Sequence, residues 1–292
     1  MALIENSNST MRKNLQILRF AYPTLATLLL AVCLLSATEP VKSTPGSFDS
    51  TPGSCHTNQS GGDKNQGEPT IGNGKLSITF INTANGKPVV LRDSAYSNYF
   101  GEQYTISKLK YYISNLVFSG NGKDQEAGTY FLVNAANESN AFDITLPAGN
   151  YSSIQFLLGV DSIRNCSGAQ TGALDPMNDM FWTWNSGYVM FKLEGSSTAS
   201  TADLQRLEYH IGGYKGANNV ATKINLPFGA GQGLTIKPGS TTELVIEMNL
   251  DHFWHGDTDN KIADLPMCMI TGAPALKLAA NFKHLFSIKN IR

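Results

Sequence analysis

The chain holds few imidazoles and thiols, the side chains most used for soft-metal ligation: five His and four Cys in 292 residues. The soft set is Cys166, His210, His252, His255, Met267, Cys268 and Met269. Cu(I) favours thiolate and thioether donors, and imidazole suits copper generally, so this set is suited to copper if its members converge. His252 and His255 are three apart, with Phe253-Trp254 between them. They share a face on a helical turn and face opposite sides on a strand, and both geometries remain open, as does a plain surface loop. His210 stands in the alternating segment Leu207–Ile211, where the choice is between a ligand and an ordinary sheet histidine. His284 falls on an expected helix with no soft neighbour in sequence. In Met267-Cys268-Met269 an extended backbone sends both thioethers one way and the thiol the other, and gap-filling in the core competes with any ligand role. Cys166 and Cys268 could instead form a disulfide in an oxidising compartment, which excludes a shared metal site. Trp182 and Trp184 are two apart and would share one side of a strand, as a sugar platform, a redox-active pocket or plain packing.

Hard-cation chemistry has weaker support. Asp251, Asp257, Asp259 and Asp264 form the clearest acidic run, but the loop pattern of an EF-hand is missing, so a solvated loop comes before Ca2+. Catalytic motifs are also missing: there is no Gly-x-Ser-x-Gly, no His-Glu-x-x-His and no phosphate-binding loop. The Gly-rich run Phe228–Gly233 lacks the strand-to-helix context of a phosphate cradle and reads as a turn. The sequence therefore describes a binding protein and not an enzyme.

The most unusual stretch runs from Gly159 to Tyr188. Its first part, to Pro176, is a long irregular segment after a strand, and such segments in compact domains are often functional. Its second part reads Met180-Phe181-Trp182-Thr183-Trp184-Asn185-Ser186-Gly187-Tyr188. Together with Leu174-Asp175-Pro176 and the later Tyr209-His210-Ile211-Gly212-Gly213, this stretch resembles the MbnP-like family of secreted bacterial proteins. The similarity extends from about Lys75 to the C-terminal helix. The resemblance implies an extracytoplasmic β-sandwich that handles copper, with Cu(I) held by two His and by a Trp oxidised to kynurenine, and a MauG-like di-haem partner protein associated with that oxidation. Carried over residue by residue, His210 takes the family's His position and Trp182 or Trp184 its Trp position. An Asn-His pair in copper-binding relatives is replaced here by Asn165-Cys166, which makes Cys166 a substitute soft ligand.

The elements that must hold these residues are strands. From Gly74, Leu76, Ile78 and Phe80 alternate with polar partners, and about ten short segments of this kind follow, punctuated by Gly, Pro and Asn. That pattern predicts an all-β domain over 72–292, an antiparallel β-sandwich. One C-terminal helix is expected from Ala275, Leu278, Ala279, Phe282, Leu285 and Phe286 at three-to-four spacing, with Pro274 in its first turn.

Residues 1–37 read as a leader. Arg12, Lys13 and Arg19 precede an apolar run from Ala21 to Ala37, the pattern of a secretory signal. A membrane anchor needs about 20 apolar residues and a lipoprotein site would use Cys33, and each reading puts the rest of the chain outside the cytoplasm. Residues 38–71, rich in Ser, Gly, Pro and Asn, read as a tether, with Cys55-His56 as a loop pair. The membrane is reached only through leader or tether. With 22 Lys+Arg against 23 Asp+Glu, no positive field exists to bind nucleic acid. The expected function is a secreted or periplasmic, cell-envelope copper-binding protein with a metal site at His210, Trp182, Trp184 and Cys166. A sandwich binding a glycan or protein without metal, through Trp182, Trp184 and Tyr188, is the alternative.

Overall fold

A computed structural model describes residues 72–292 apart from 121, 169, 184, 185 and 230–232. The leader, the tether, Cys33, Cys55, His56 and Trp184 lie outside the described residues. The alternation at the start of the domain becomes β1 (Asn73–Ala84), which buries Leu76, Ile78 and Phe80 and turns Lys75, Ser77 and Thr79 away. There follow β2 (Lys87–Pro88), β3 (Ala95–Ser97), β4 (Gln103–Gly120), β5 (Gln125–Asn134), β6 (Ala141–Pro147), β7 (Gly149–Leu158), β8 (Phe181–Thr183), β9 (Gly187–Ser197) and β10 (Arg206–Gly212). The chain continues through β11 (Thr222–Pro227), β12 (Leu234–Ile236), β13 (Thr241–Asn249), β14 (Met267–Cys268) and β15 (Phe286–Ile291). Short helices are α1 (Ser162–Cys166), α2 (Asp251–Trp254) and α3 (Ala273–Ala279).

Strand dominates, as expected, and forms two sheets. One runs β15-β13-β1-β2 with β6 also on β1. The other runs β11-β7-β4-β9-β10-β14, with β3, β5, β8 and β12 attached, and is strongly curled. Both are mixed rather than purely antiparallel: β1 pairs with β13 in parallel, and β10 with β14. A side-chain period of two is common to both pairing directions, so alternation could not reveal this. Rings join the sheets. Phe80 on β1 lies 5.9 Å from Phe156 on β7 and 6.4 Å from Tyr111 on β4, each edge to face.

The C-terminal helix is shorter than the spacing predicts. α3 ends at Ala279, a 3-10 turn covers Phe282–His284, and Phe286 already begins β15. The apolar positions are buried as expected. The helix stops where Asn281 directs its buried amide to Phe253 O and Thr258 O, at 3.1 and 2.8 Å, and accepts from Thr258 N.

One face of β9 and β10 belongs to the core. Phe191 stacks on Phe253 of α2 at 5.5 Å, Tyr209 meets the same ring at a tilt at 5.6 Å, and Trp254 donates to the Tyr104 hydroxyl. The opposite face carries Lys192, Glu194, Glu208 and His210 together with Lys108 and Lys110 of β4, by strand register. The candidate site is on this second face.

Candidate metal site

His210 is paired in register with Lys192 on β9. Its Nε2 lies 2.9 Å from Oε1 of Glu194, and its side chain is 17% exposed. Glu194 also holds Lys108, at 3.1 Å, and Lys108 reaches Asp179 at the same distance. Asp179 in turn pairs with Lys192 at 3.1 Å, and Lys192 further donates to the Asp179 carbonyl. Lys110 donates to Asn178 O at 2.9 Å. Three lysines rooted in the sheet thus clamp residues 178–179, immediately before Met180-Phe181-Trp182. Lys192 is only 3% exposed because this segment covers it. None of these charges could be picked out from sequence, because single Lys and Glu residues on strands carry no spacing signal.

The segment between β7 and β9 is built from local caps. Asp161 accepts from Arg164 N to start α1 and also receives the Tyr130 hydroxyl, and Asp175 accepts from Met177 N at 2.9 Å. Asn165 is buried, donates to Val160 O and Asp161 O and accepts from Tyr188 N, at 2.8, 2.9 and 2.8 Å. That amide fastens the segment to the first residues of β9. β8 then folds back on β9 with Phe181 opposite Tyr188, their rings 4.9 Å apart. Trp182, half-buried between Phe181 and Thr183, packs on the backbone of Gly212, where a Cβ would lie 2.8 Å from its ring. Gly212 is two residues beyond His210 on β10, so the structure brings His210 and Trp182 to the same strand end. The glycine of His210-Ile211-Gly212 is thereby explained: any side chain there would displace the indole.

Other expected residues are placed differently. Cys166 is exposed at the end of α1 and Cys268 is buried in β14, and both are free, so the disulfide alternative does not form. Burial pushes the Cys268 thiol up, which disfavours the thiolate a metal needs. Among the described residues Cys166 and His210 belong to no common group of three metal-binding side chains. Tyr188 lies wholly in the core with its hydroxyl on Leu174 O, and so cannot serve as part of a glycan platform. His252 is exposed on α2, His255 stacks on Tyr99 and holds Asp259, and His284 holds Asp257. The acidic run forms no Ca2+ site among the described residues. Asp257 is taken by Lys283 and His284, Asp259 by His255, and Asp251 by the backbone and side chain of Asn85.

Acid should loosen the clamp. Burial raises the carboxyls of Asp179 and Glu194, but this is outweighed for Asp179 by hydrogen bonds from Lys192 and Lys108, and for Glu194 by those from His210 and Lys108. Both are held below the ordinary carboxylate range. Depressed carboxyls stabilise the fold above their unfolded values, near 4, and this is lost as pH falls through the folded values. Tm is expected to be flat between about pH 6 and 8 and to fall below about pH 4. The fall should be smaller in Asp179→Asn, and an equal fall in that variant would contradict the clamp.

The donor chemistry can be tested against copper. Among the described residues no three His, Cys, Asp or Glu side chains gather as a cage for an ion. Cu(I) accepts fewer and softer donors, including thioethers. His210 has one ring nitrogen on a carboxylate and no hydrogen-bond partner for the other among the described residues. Ligand histidines show this arrangement, with the carboxylate fixing ring and tautomer. A single imidazole so held offers one donor, and no cage of ligands gathers around it among the described residues.

Residues 73–270 match the family described as MbnP. Among solved structures, MbnP from Methylosinus trichosporium is similar at 13% identity, covering 64% of this chain and 80% of that chain, with a TM-score of 0.42. No curated protein matches. The family match spans about two thirds of the sequence and includes the clamp, Trp182 and His210, and on that extent the chain belongs to the MbnP family.

Proposed function

We propose that this protein is an extracytoplasmic copper-binding protein that holds or delivers Cu(I). The observation that supports it most is the placing of a carboxylate-anchored His210 and the Trp182 ring on one end of β10. In this reading the two-sheet sandwich is a rigid platform, and His210 is the anchoring ligand. Glu194 fixes its ring, and Lys108, Lys110 and Lys192 hold the Trp-bearing segment against it. Bound copper would supply a soft, redox-capable cation. Trp182 walls the site, and its oxidation to kynurenine by a MauG-like di-haem partner would add a polar donor there. Trp184 stands beside it in sequence as the other candidate for that oxidation, and Cys166 is the thiol available in place of a second His. The leader over 1–37 exports the chain, so the site works in the periplasm or at the cell envelope.

The protein, purified from a periplasmic preparation and loaded with Cu(I) under reducing conditions, should retain a single equivalent after desalting. No retained copper would defeat the copper reading and leave a metal-free binding sandwich. Peptide mass spectrometry after co-expression with a di-haem oxidase should find the kynurenine mass on Trp182 or Trp184.

A further inference from the structure

We propose that the Tyr99 ring is the platform of a glycan-binding site, stacking on a pyranose ring, at a place that shares no residue with the clamp around His210. Tyr99 stands in the turn between β3 and β4 and is 68% exposed. One face of its ring is covered, because the His255 imidazole stacks on it at 3.9 Å with 8° between the planes. A ring covered on one face and still two thirds exposed turns its other face to solvent. Phe100 lies 5.3 Å from Tyr99 and 6.1 Å from His255, perpendicular to both, so it stands beside the stack and leaves that face open. The turn that displays the ring is firmly built. Asn98 Oδ1 accepts from Phe100 N and Glu102 N, each at 3.0 Å, and Glu102 accepts from Ile262 N and Ala263 N at 2.8 and 2.9 Å. His255 is fixed in turn by Asp259 Oδ1 at 2.7 Å, and Asn260 N donates to Trp254 O behind it.

Exposure alone would not single out Tyr99, because Ile163, Met177 and Leu204 are more exposed. What sets it apart is the stacked support beneath the ring and the polar groups beside it. A ring held in place before binding spares a ligand the entropy of ordering it. The face of an aromatic ring carries partial negative charge, which attracts the weakly positive C–H face of a pyranose. Sugar hydroxyls need donors and acceptors as well. The Tyr99 hydroxyl, His255 Nε2 and Asp259 Oδ2 have no hydrogen-bond partner among the described residues, and all three side chains are exposed. They can meet hydroxyls of the stacked unit or of the next unit in a sugar chain. Other ligands of aromatic rings suit the geometry less well. Organic cations are taken up by cages of several rings, and proline-rich peptides by grooves lined with them. Here one flat face is offered, with Phe100 edging the stack and not walling a groove.

The test uses the whole protein with 13C-labelled tyrosine rings, titrated with chitotetraose and with cellotetraose, β-linked oligosaccharides whose units present flat C–H faces. The Tyr99 ring signal, identified by its loss in Tyr99→Ala, should shift and saturate with at least one of them at millimolar concentration. Tyr99→Ala should bind that sugar at least about tenfold more weakly at unchanged Tm. Tyr99→Phe keeps the ring and should stay within about threefold of the parent. A Tyr99 signal that neither sugar moves would overturn the proposal, as would one that decaproline moves in their place. Sugar binding that survives in Tyr99→Ala would also overturn it, and would mark another ring, such as Trp182, as the platform.

Discussion

Replacing Asn165 by Ala should cost at least about 3 kcal/mol of folding stability and free the segment between β7 and β9 from the sheet. The residue is 2% exposed and its amide meets three backbone groups, Val160 O, Asp161 O and Tyr188 N. Truncation strands all three. A buried backbone group left without a partner costs about 1–3 kcal/mol, and water entering the gap recovers part of that. Tyr188 is the residue against which Phe181 pairs, so losing the latch also loosens the strand that carries Trp182. Urea unfolding measures the loss. Cys166→Ser, one residue further along and exposed, should stay within about 0.5 kcal/mol of the parent. An Asn165→Ala variant within about 1 kcal/mol of the parent would show that the latch is not what holds the segment.

How much of this was legible in the sequence depends on the kind of information involved. Burial with period two is written into Leu76-Ser77-Ile78-Thr79-Phe80 and its counterparts, so the strands could be read, and with them the mostly β domain. The pairing direction of β1 with β13 could not, since alternation is the same in either sense. The apolar runs around Tyr104, Tyr111 and Leu116 each have the length of a short strand, yet they belong to one strand of 18 residues. Bulges at Ser107 and Asn115 break the alternation without ending the strand, and Asn115 takes φ 52°. In the site, His210, Trp182 and Gly212 could be found because motif residues mark them. Glu194, Asp179 and Lys192 could not, because their roles come from register across three strands. Asn165 was visible only as the partner of a substituted position, and in the structure it is the latch while Cys166 is left exposed.

The central claim is that Cu(I) is held at the end of β10 by His210, and substituting that residue bears on it most directly. His210→Ala removes the imidazole and leaves Glu194 still paired with Lys108, so the fold should lose no more than about 1 kcal/mol. The metal loses its anchor, and affinity should fall by at least about 100-fold, near 3 kcal/mol. His252→Ala is the matched control. It is an exposed imidazole on α2, whose Phe253 packs against the other face of the sheet, and its removal should leave affinity unchanged. The decisive measurement is an anaerobic competition of the parent and His210→Ala proteins against a chromophoric Cu(I) chelator. The parent protein is predicted to take one Cu(I) and the variant to surrender it to the chelator, with Tm lowered by no more than about 4 °C. A variant that holds Cu(I) as tightly as the parent would contradict the account.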